Sequence, residues 1–142
     1  MTYGQKAIEI HHKGYNCAQS VLAAYGDETG MDEVSLKRLS SAFGAGFGRT
    51  QNACGAVTGA LMVIGCRYHN DSDVAGSKEI VYQKTREFIK KFEEKHHSIE
   101  CLTLIGVDFN KDDGLKKAKE QGLFQSRCEE FIKDACDILK SL

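Results

Sequence analysis

The sequence predicts an all-α protein: a compact helical bundle of about six to eight helices with no sheet. Three observations predict it. The 142 residues include no proline, so nothing breaks a helix from within. Apolar residues recur at helical period in segment after segment, and no segment alternates convincingly at period two. Finally, Asn or Ser stands one to three residues before four cysteines that each open an apolar run. The pairs are Asn16 and Cys17, Asn52 and Cys54, Ser98 and Cys101, and Ser126 and Cys128. Asn and Ser are favoured N-caps, because the side-chain oxygen accepts a bond from an otherwise unpaired helix N–H.

The elements follow in order. Residues 2–13 form a first helix, with Tyr3, Ala7, Ile8 and His11 toward one side. Residues 16–25 form a second, with Val21, Leu22 and Tyr25 inward and Gly26 as its stop. Residues 32–43 form a third, facing the core with Val34, Leu36, Leu39 and Phe43. In the run FGAGFGR that follows, Gly44, Gly46 and Gly48 permit backbone angles other residues avoid. The next helix, about 52–68, carries Gly55 and Gly59 four apart, and Ala56 and Ala60 likewise. Small residues at that spacing form a flat stripe where another backbone comes close, a rule best established in membranes.

Residues 77–97 form a long helix with Val81, Thr85, Phe88, Ile89 and Phe92 as its apolar stripe. Glu87 and Lys91 are an i,i+4 pair on its wet side. Short helices at 99–106 and 115–121 flank the loop DFNKDDG. The last helix, about 127–141, opens with a capping box of Ser126 and Glu129 and faces inward with Phe131, Ile132, Ala135, Ile138 and Leu139.

The length suits one domain spanning 1–142. The net charge is −1, from 19 basic and 20 acidic side chains. That balance argues against nucleic acid as a partner, and the absence of a long basic block argues against a membrane surface. The most apolar run, 53–66, is too short to span a bilayer and meets Arg67 at once. It reads as a buried central helix. The N-terminal run MTYGQKAIEIHHKG lacks an apolar stretch, a small-residue cleavage site and a twin arginine. A cytoplasmic location is therefore expected, where thiols stay reduced. Six cysteines in that setting point to metal binding or reversible redox chemistry rather than a disulfide framework.

Chemistry follows from where the sulfurs fall. A sulfur in the first turn of a helix lies near the positive end of the helix dipole, which favours thiolate. Cys17, Cys54, Cys101 and Cys128 are the candidates. Four thiolates are the ligand set of [2Fe–2S] and [4Fe–4S] clusters and of structural zinc. No compact Cys-x-x-Cys pair is present, so the ligands must converge from separate helices. Two of them meeting would suffice for a dithiol–disulfide cycle, with Arg49 adding positive charge near Cys54. Cys66 and Cys136, deep in helices among apolar neighbours, read as small buried hydrophobes.

The remaining motifs carry less. The glycine loop fits neither G-x-G-x-x-G nor a P-loop, and reads as a tight turn whose N–H groups face either a neighbour or a bound group. His11–His12 and His96–His97 are adjacent pairs that diverge on a helix, and His69 caps a helix end. His11 joins the sulfurs only if its helix packs over Cys17. Asp112–Asp113 lies in a loop without an EF-hand pattern.

The run FGAGFGRTQNACGAVTGALMVIG, with NCAQSVL before it and single cysteines after it, resembles the C_GCAxxG_C_C family. The likeness covers about Gly14 to Leu139. The family's box is here Cys54, Gly55, Ala56, Val57, Thr58 and Gly59, where the family label prints Gly-Cys-Ala. Its other cysteines correspond to Cys17, Cys101 and Cys128. The resemblance implies a redox role beside an oxidoreductase or transporter partner. A similar region in cytochromes that also hold an iron–sulfur centre makes a cluster a natural cofactor.

Together these readings place catalysis and metal binding at Cys17, Cys54, Cys101 and Cys128, with Gly55, Gly59 and Arg49 around the cofactor. The cofactor is an iron–sulfur cluster, [2Fe–2S] favoured, or zinc. Electron transfer through a cluster and disulfide exchange stay open, as do a non-catalytic zinc module, inert thiols and a homodimer.

Overall fold

The computed structural model describes residues 1–142 and is helical throughout. Its elements are α1 (Tyr3–His12), α2 (Cys17–Ala24), α3 (Gly26–Thr29), α4 (Glu33–Ser40), a 3-10 turn at Ser41–Phe43, α5 (Gly44–Phe47) and α6 (Gly55–Tyr68). There follow α7 (Val74–His96), α8 (Cys101–Ile105), α9 (Gly114–Glu120), α10 (Leu123–Ser126) and α11 (Cys128–Ser141). The all-α class is as the sequence predicts. The single turns α3, α5 and α10 add to the expected number, being too short to carry a periodic signal. Strand pairing is limited to one antiparallel bridge between Ala53 and Glu100. No helix is long and apolar enough to cross a membrane.

Helices α2, α6 and α11 form the centre. The α2 helix packs along α6, and α1 lies against both α2 and α11. The long α7 covers α6 and α11 with Phe88 and Phe92, which are fully buried. The fully buried set around Tyr25, Leu22, Ile64, Ile132 and Leu139 joins the three central helices. Glycine makes the α2–α6 contact possible. A Cβ on Gly59 would stand 2.8 Å from the Ala18 carbonyl oxygen, and one on Gly55 would stand 2.9 Å from the Ala18 nitrogen. At the far end of α6, Arg67 donates to both Glu28 carboxylate oxygens at 3.0 Å and to the Leu139 carbonyl at 2.8 Å.

Several local expectations need correcting. Val34 and Leu39 are exposed, because α4 turns only the Leu36 and Ser40 face inward, four residues apart. Gly26 does not stop α2; it opens α3, and Gly30 ends that turn in the left-handed region. Cys66 is exposed rather than buried, since α6 buries Val63 and Ile64 and turns Cys66 outward. Cys136 is buried as expected.

The caps differ most. Asn16 does form a capping box, with the Gln19 amide donating to its Oδ1 at 2.9 Å and its own N–H reaching Gln19 Oε1 at 3.0 Å. Asn52, Ser98 and Ser126 do not cap. Cys54 itself occupies the N-cap of α6. Ser126 belongs to α10, and only Arg127 separates that turn from α11, so the Ser126–Glu129 box is absent. At α8 the free amides of Cys101 and Leu102 donate instead to the Asn52 and Gln51 carbonyls, at 2.7 and 3.2 Å. A backbone partner thus replaces the side-chain cap.

Candidate functional site

Four helix starts converge on one cavity of about 550 Å³, and Cys17, Cys54, Cys101 and Cys128 all line it. Cys54, Cys101 and Cys128 are buried, while Cys17 is partly exposed. Each arrives by a distinct device. The Asn16 capping box fixes the first turn of α2 and with it Cys17. Cys54 and Cys101 are held side by side through their backbones: Cys54 N–H donates to the Ile99 carbonyl, and Cys101 N–H to the Asn52 carbonyl, both at 2.7 Å. Arg127, immediately before Cys128, donates to the Leu104 and Ile105 carbonyls at 3.2 and 2.9 Å. That bond pair ties the end of α8 to the start of α11.

The glycine run forms an unusual wall of this cavity. Ala45, Gly46, Phe47 and Gly48 all have positive φ (53°, 65°, 71° and 62°), so α5 is a left-handed turn. Its ring closes by the Gly48 N–H donating to the Gly44 carbonyl at 2.8 Å. L-residues pay roughly 1–2 kcal/mol each in this conformation, through contact of Cβ with the following carbonyl. At Gly46 a Cβ would also stand 2.5 Å from the Asn52 nitrogen. Surrounding bonds hold the turn. The Gln51 and Asn52 amides donate to the Ala45 and Gly46 carbonyls at 3.1 and 2.9 Å. Gly44, Ala45, Gly48 and Arg49 line the cavity, so this turn is part of it.

The electrostatics overturn one expectation. Helix-start placement predicts thiolates, but at Cys54 and Cys101 the dominant influence is burial. It pushes the Cys54 thiol up to about 12, against the opposing pull of the Ala56 and Val57 amides. It pushes Cys101 up to about 11, with the Gln51 side chain opposing. Cys17 is held well above the usual thiol range by its hydrogen bond to Cys128, and by burial. Only Cys128 is lowered, because Cys17 donates to its sulfur. At Cys54 and Cys101 the loss of water outweighs both the dipole and the donors that face the sulfur.

Of the other residues singled out in the sequence, Gly55 and Arg49 line the cavity. Gly59 does not; it lies one turn further along α6, against Ala18. His11 lines the cavity, because α1 packs on both α2 and α11. Burial lowers its pKa, with Glu129 opposing. Glu129 also pairs with His12.

Gln51 was missed altogether. It is buried, has φ 57°, donates to the Val107 carbonyl and accepts from the Phe109 amide, both at 2.8 Å. A polar residue in a glycine-rich loop gives no periodic signal. Arg127 was missed because its role is to close another helix's carbonyl end.

The one tight group of three metal-ligating side chains, with donor atoms all within 4.8 Å, is elsewhere: His96, Glu130 and Asp134. Asp134 there already holds His96 at 2.8 Å and Lys95 at 3.5 Å. The four cysteines are not drawn together as closely as that group.

The family model described as "Putative redox-active protein (C_GCAxxG_C_C)" matches residues 15–142. No curated protein and no solved structure matches the chain.

Proposed function

The chain belongs to the C_GCAxxG_C_C family, and from that premise we propose that Cys17, Cys54, Cys101 and Cys128 hold an iron–sulfur cluster of the [2Fe–2S] type through which the protein transfers electrons. The observation that carries this reading is the shared cavity, onto which all four sulfurs open from four helix starts. Cys17 and Cys128 shift each other's titration, and Cys54 and Cys101 lie on the two segments, 52–54 and 99–101, that the backbone bonds join.

When bound, the cluster would accept and release single electrons. The chain's part is to supply and tune the ligands. The N-termini of α2, α6 and α11 direct their positive ends to the thiolates, offsetting the negative charge that ligation concentrates there. The Ala56 and Val57 amides support Cys54, and the Gln51 side chain supports Cys101. Hydrogen bonds to ligand sulfurs and exclusion of water are the protein's levers on potential. Arg49 adds a positive charge at the rim, and Leu104, Ile105 and Phe131 keep water from the sulfurs. The raised Cys54 and Cys101 pKa values mean that ligation must displace protons, so uptake is favoured as pH rises.

The test is anaerobic reconstitution with ferrous iron and sulfide. Visible absorption with two irons and two sulfides per chain is expected. Cys54→Ser should lose that absorption while its far-ultraviolet circular dichroism stays within error of the parent. A colourless protein carrying one zinc per chain would sink the reading.

A second reading has its own observation. Cys17 and Cys128 line the same cavity, and the interaction between their thiols raises the pKa of Cys17 and lowers that of Cys128, as suits a pair able to exchange with a disulfide. Thiol titration before and after a mild oxidant, with loss of two thiols confined to this pair, would favour it over the cluster.

A further inference from the structure

Resting on the cluster reading, we propose that the mouth of the same cavity binds a small planar organic anion, an aryl carboxylate by chemical class, seated above the sulfurs. The cavity has more room than a cluster of four inorganic atoms fills. Its volume of about 550 Å³ falls within the range of pockets for small organic ligands, about 300–1,000 Å³. The site is also layered. Cys54, Cys101 and Cys128 are only 5–7% exposed. Nearer solvent the lining changes to Tyr15, Phe124, Arg49, Lys119 and Gln125, which are partly or fully exposed.

Charge names the ligand's sign. The chain has 20 acidic residues, yet none of the 20 residues lining the cavity is Asp or Glu. The lining does include Arg49 and Lys119, and neither makes an ion pair with any carboxylate of the protein. A guanidinium offers a carboxylate a two-pronged fork, and a lysine adds a point charge. Shape and polarity name the rest of the ligand. Phe109 and Phe124 stand 5.5 Å apart between centroids, tilted by 39°, and form an apolar wall beside the cations. A flat ring stacks or tilts against such a wall favourably. An inorganic anion makes no use of the aromatic wall, and a neutral aromatic makes no use of the cations.

Calorimetric titration of the reduced, cluster-free protein tests this with three probes: 2-naphthoate, its uncharged analogue 2-naphthamide, and inorganic phosphate. Saturable one-to-one binding of naphthoate is expected, with naphthamide and phosphate each weaker by about tenfold or more, the worth of one charge-assisted contact. Lys119→Gln should weaken naphthoate by about tenfold and leave naphthamide unchanged. Phe124→Ala should weaken both. Absence of saturable naphthoate binding, equal binding of the amide, or indifference to Lys119→Gln overturns the proposal. Cluster uptake by Lys119→Gln, read from visible absorbance after reconstitution, should equal that of the parent. Uptake without naphthoate binding sinks this inference alone, and naphthoate binding without uptake sinks the cluster reading alone.

Discussion

Ala45 keeps a left-handed backbone (φ 53°, ψ 40°) inside a turn that lines the cavity. The conformation costs an alanine roughly 1–2 kcal/mol, whereas glycine avoids that cost and loses about 0.5–1 kcal/mol in extra unfolded-chain freedom. Ala45→Gly should therefore be neutral to stabilising, by up to about 1 kcal/mol in urea denaturation. A clear loss of stability would mean that the methyl group's packing outweighs the strain. The sulfurs give a second prediction at this scale. Cys54 and Cys101 titrate at about 12 and 11 in the folded protein, against 9.0 for a free thiol. Between pH 9 and 11 the unfolded chain has released thiol protons that the folded chain retains. The unfolded state then binds fewer protons, and stability falls as pH rises. The contribution is intact below about pH 9, and each thiol steepens the fall by up to about 1.4 kcal/mol per pH unit across the window. Denaturation of reduced, cluster-free protein at pH 8 and pH 10 checks this, and the Cys54→Ser and Cys101→Ser double variant should show a flatter profile.

Between elements, the critical surface is the one where α2 meets α6. Gly59→Ala would put a methyl group 2.8 Å from the Ala18 carbonyl, a backbone atom that yields only if the whole helix shifts. The expected loss is about 1–3 kcal/mol. Because α2 carries Cys17 and α6 begins at Cys54, the same shift should lower iron retained per chain after reconstitution. Full iron content in a destabilised variant would uncouple the packing from the site. This stripe was legible from the four-residue spacing of Gly55 and Gly59, as were the core faces of α7 and α11 from their periodicity. The braces were not legible. The backbone pairing of residues 51–54 with 99–102 and the reach of Arg127 to α8 join positions tens of residues apart, and neither leaves a local pattern. The left-handed turn was visible only as glycine enrichment, since Ala45 and Phe47 give no hint that they share its conformation. The thiolate expectation failed at Cys54 and Cys101 because a dipole argument knows a residue's place in its helix but not how much water surrounds it.

At the scale of the whole molecule, a bound group at the cavity would join four helices that otherwise meet by packing and a few backbone and Arg127 hydrogen bonds. A ligand that binds the folded state alone stabilises it by mass action. Cluster-loaded protein should therefore melt at least about 5 °C above chelator-treated protein, and Cys54→Ser should erase the difference. Equal melting temperatures would place the metal outside the cavity. The order of the sulfurs along the chain has a further consequence. They stand at positions 17, 54, 101 and 128, so a nascent chain leaving the ribosome carries three of them before the fourth emerges. Until α11 has docked beside α1 and α6, the cavity proposed to hold the cluster lacks its fourth sulfur. Colour in this protein would then report that biosynthesis and docking of the last helix have both finished, and a chain stalled earlier would stay pale.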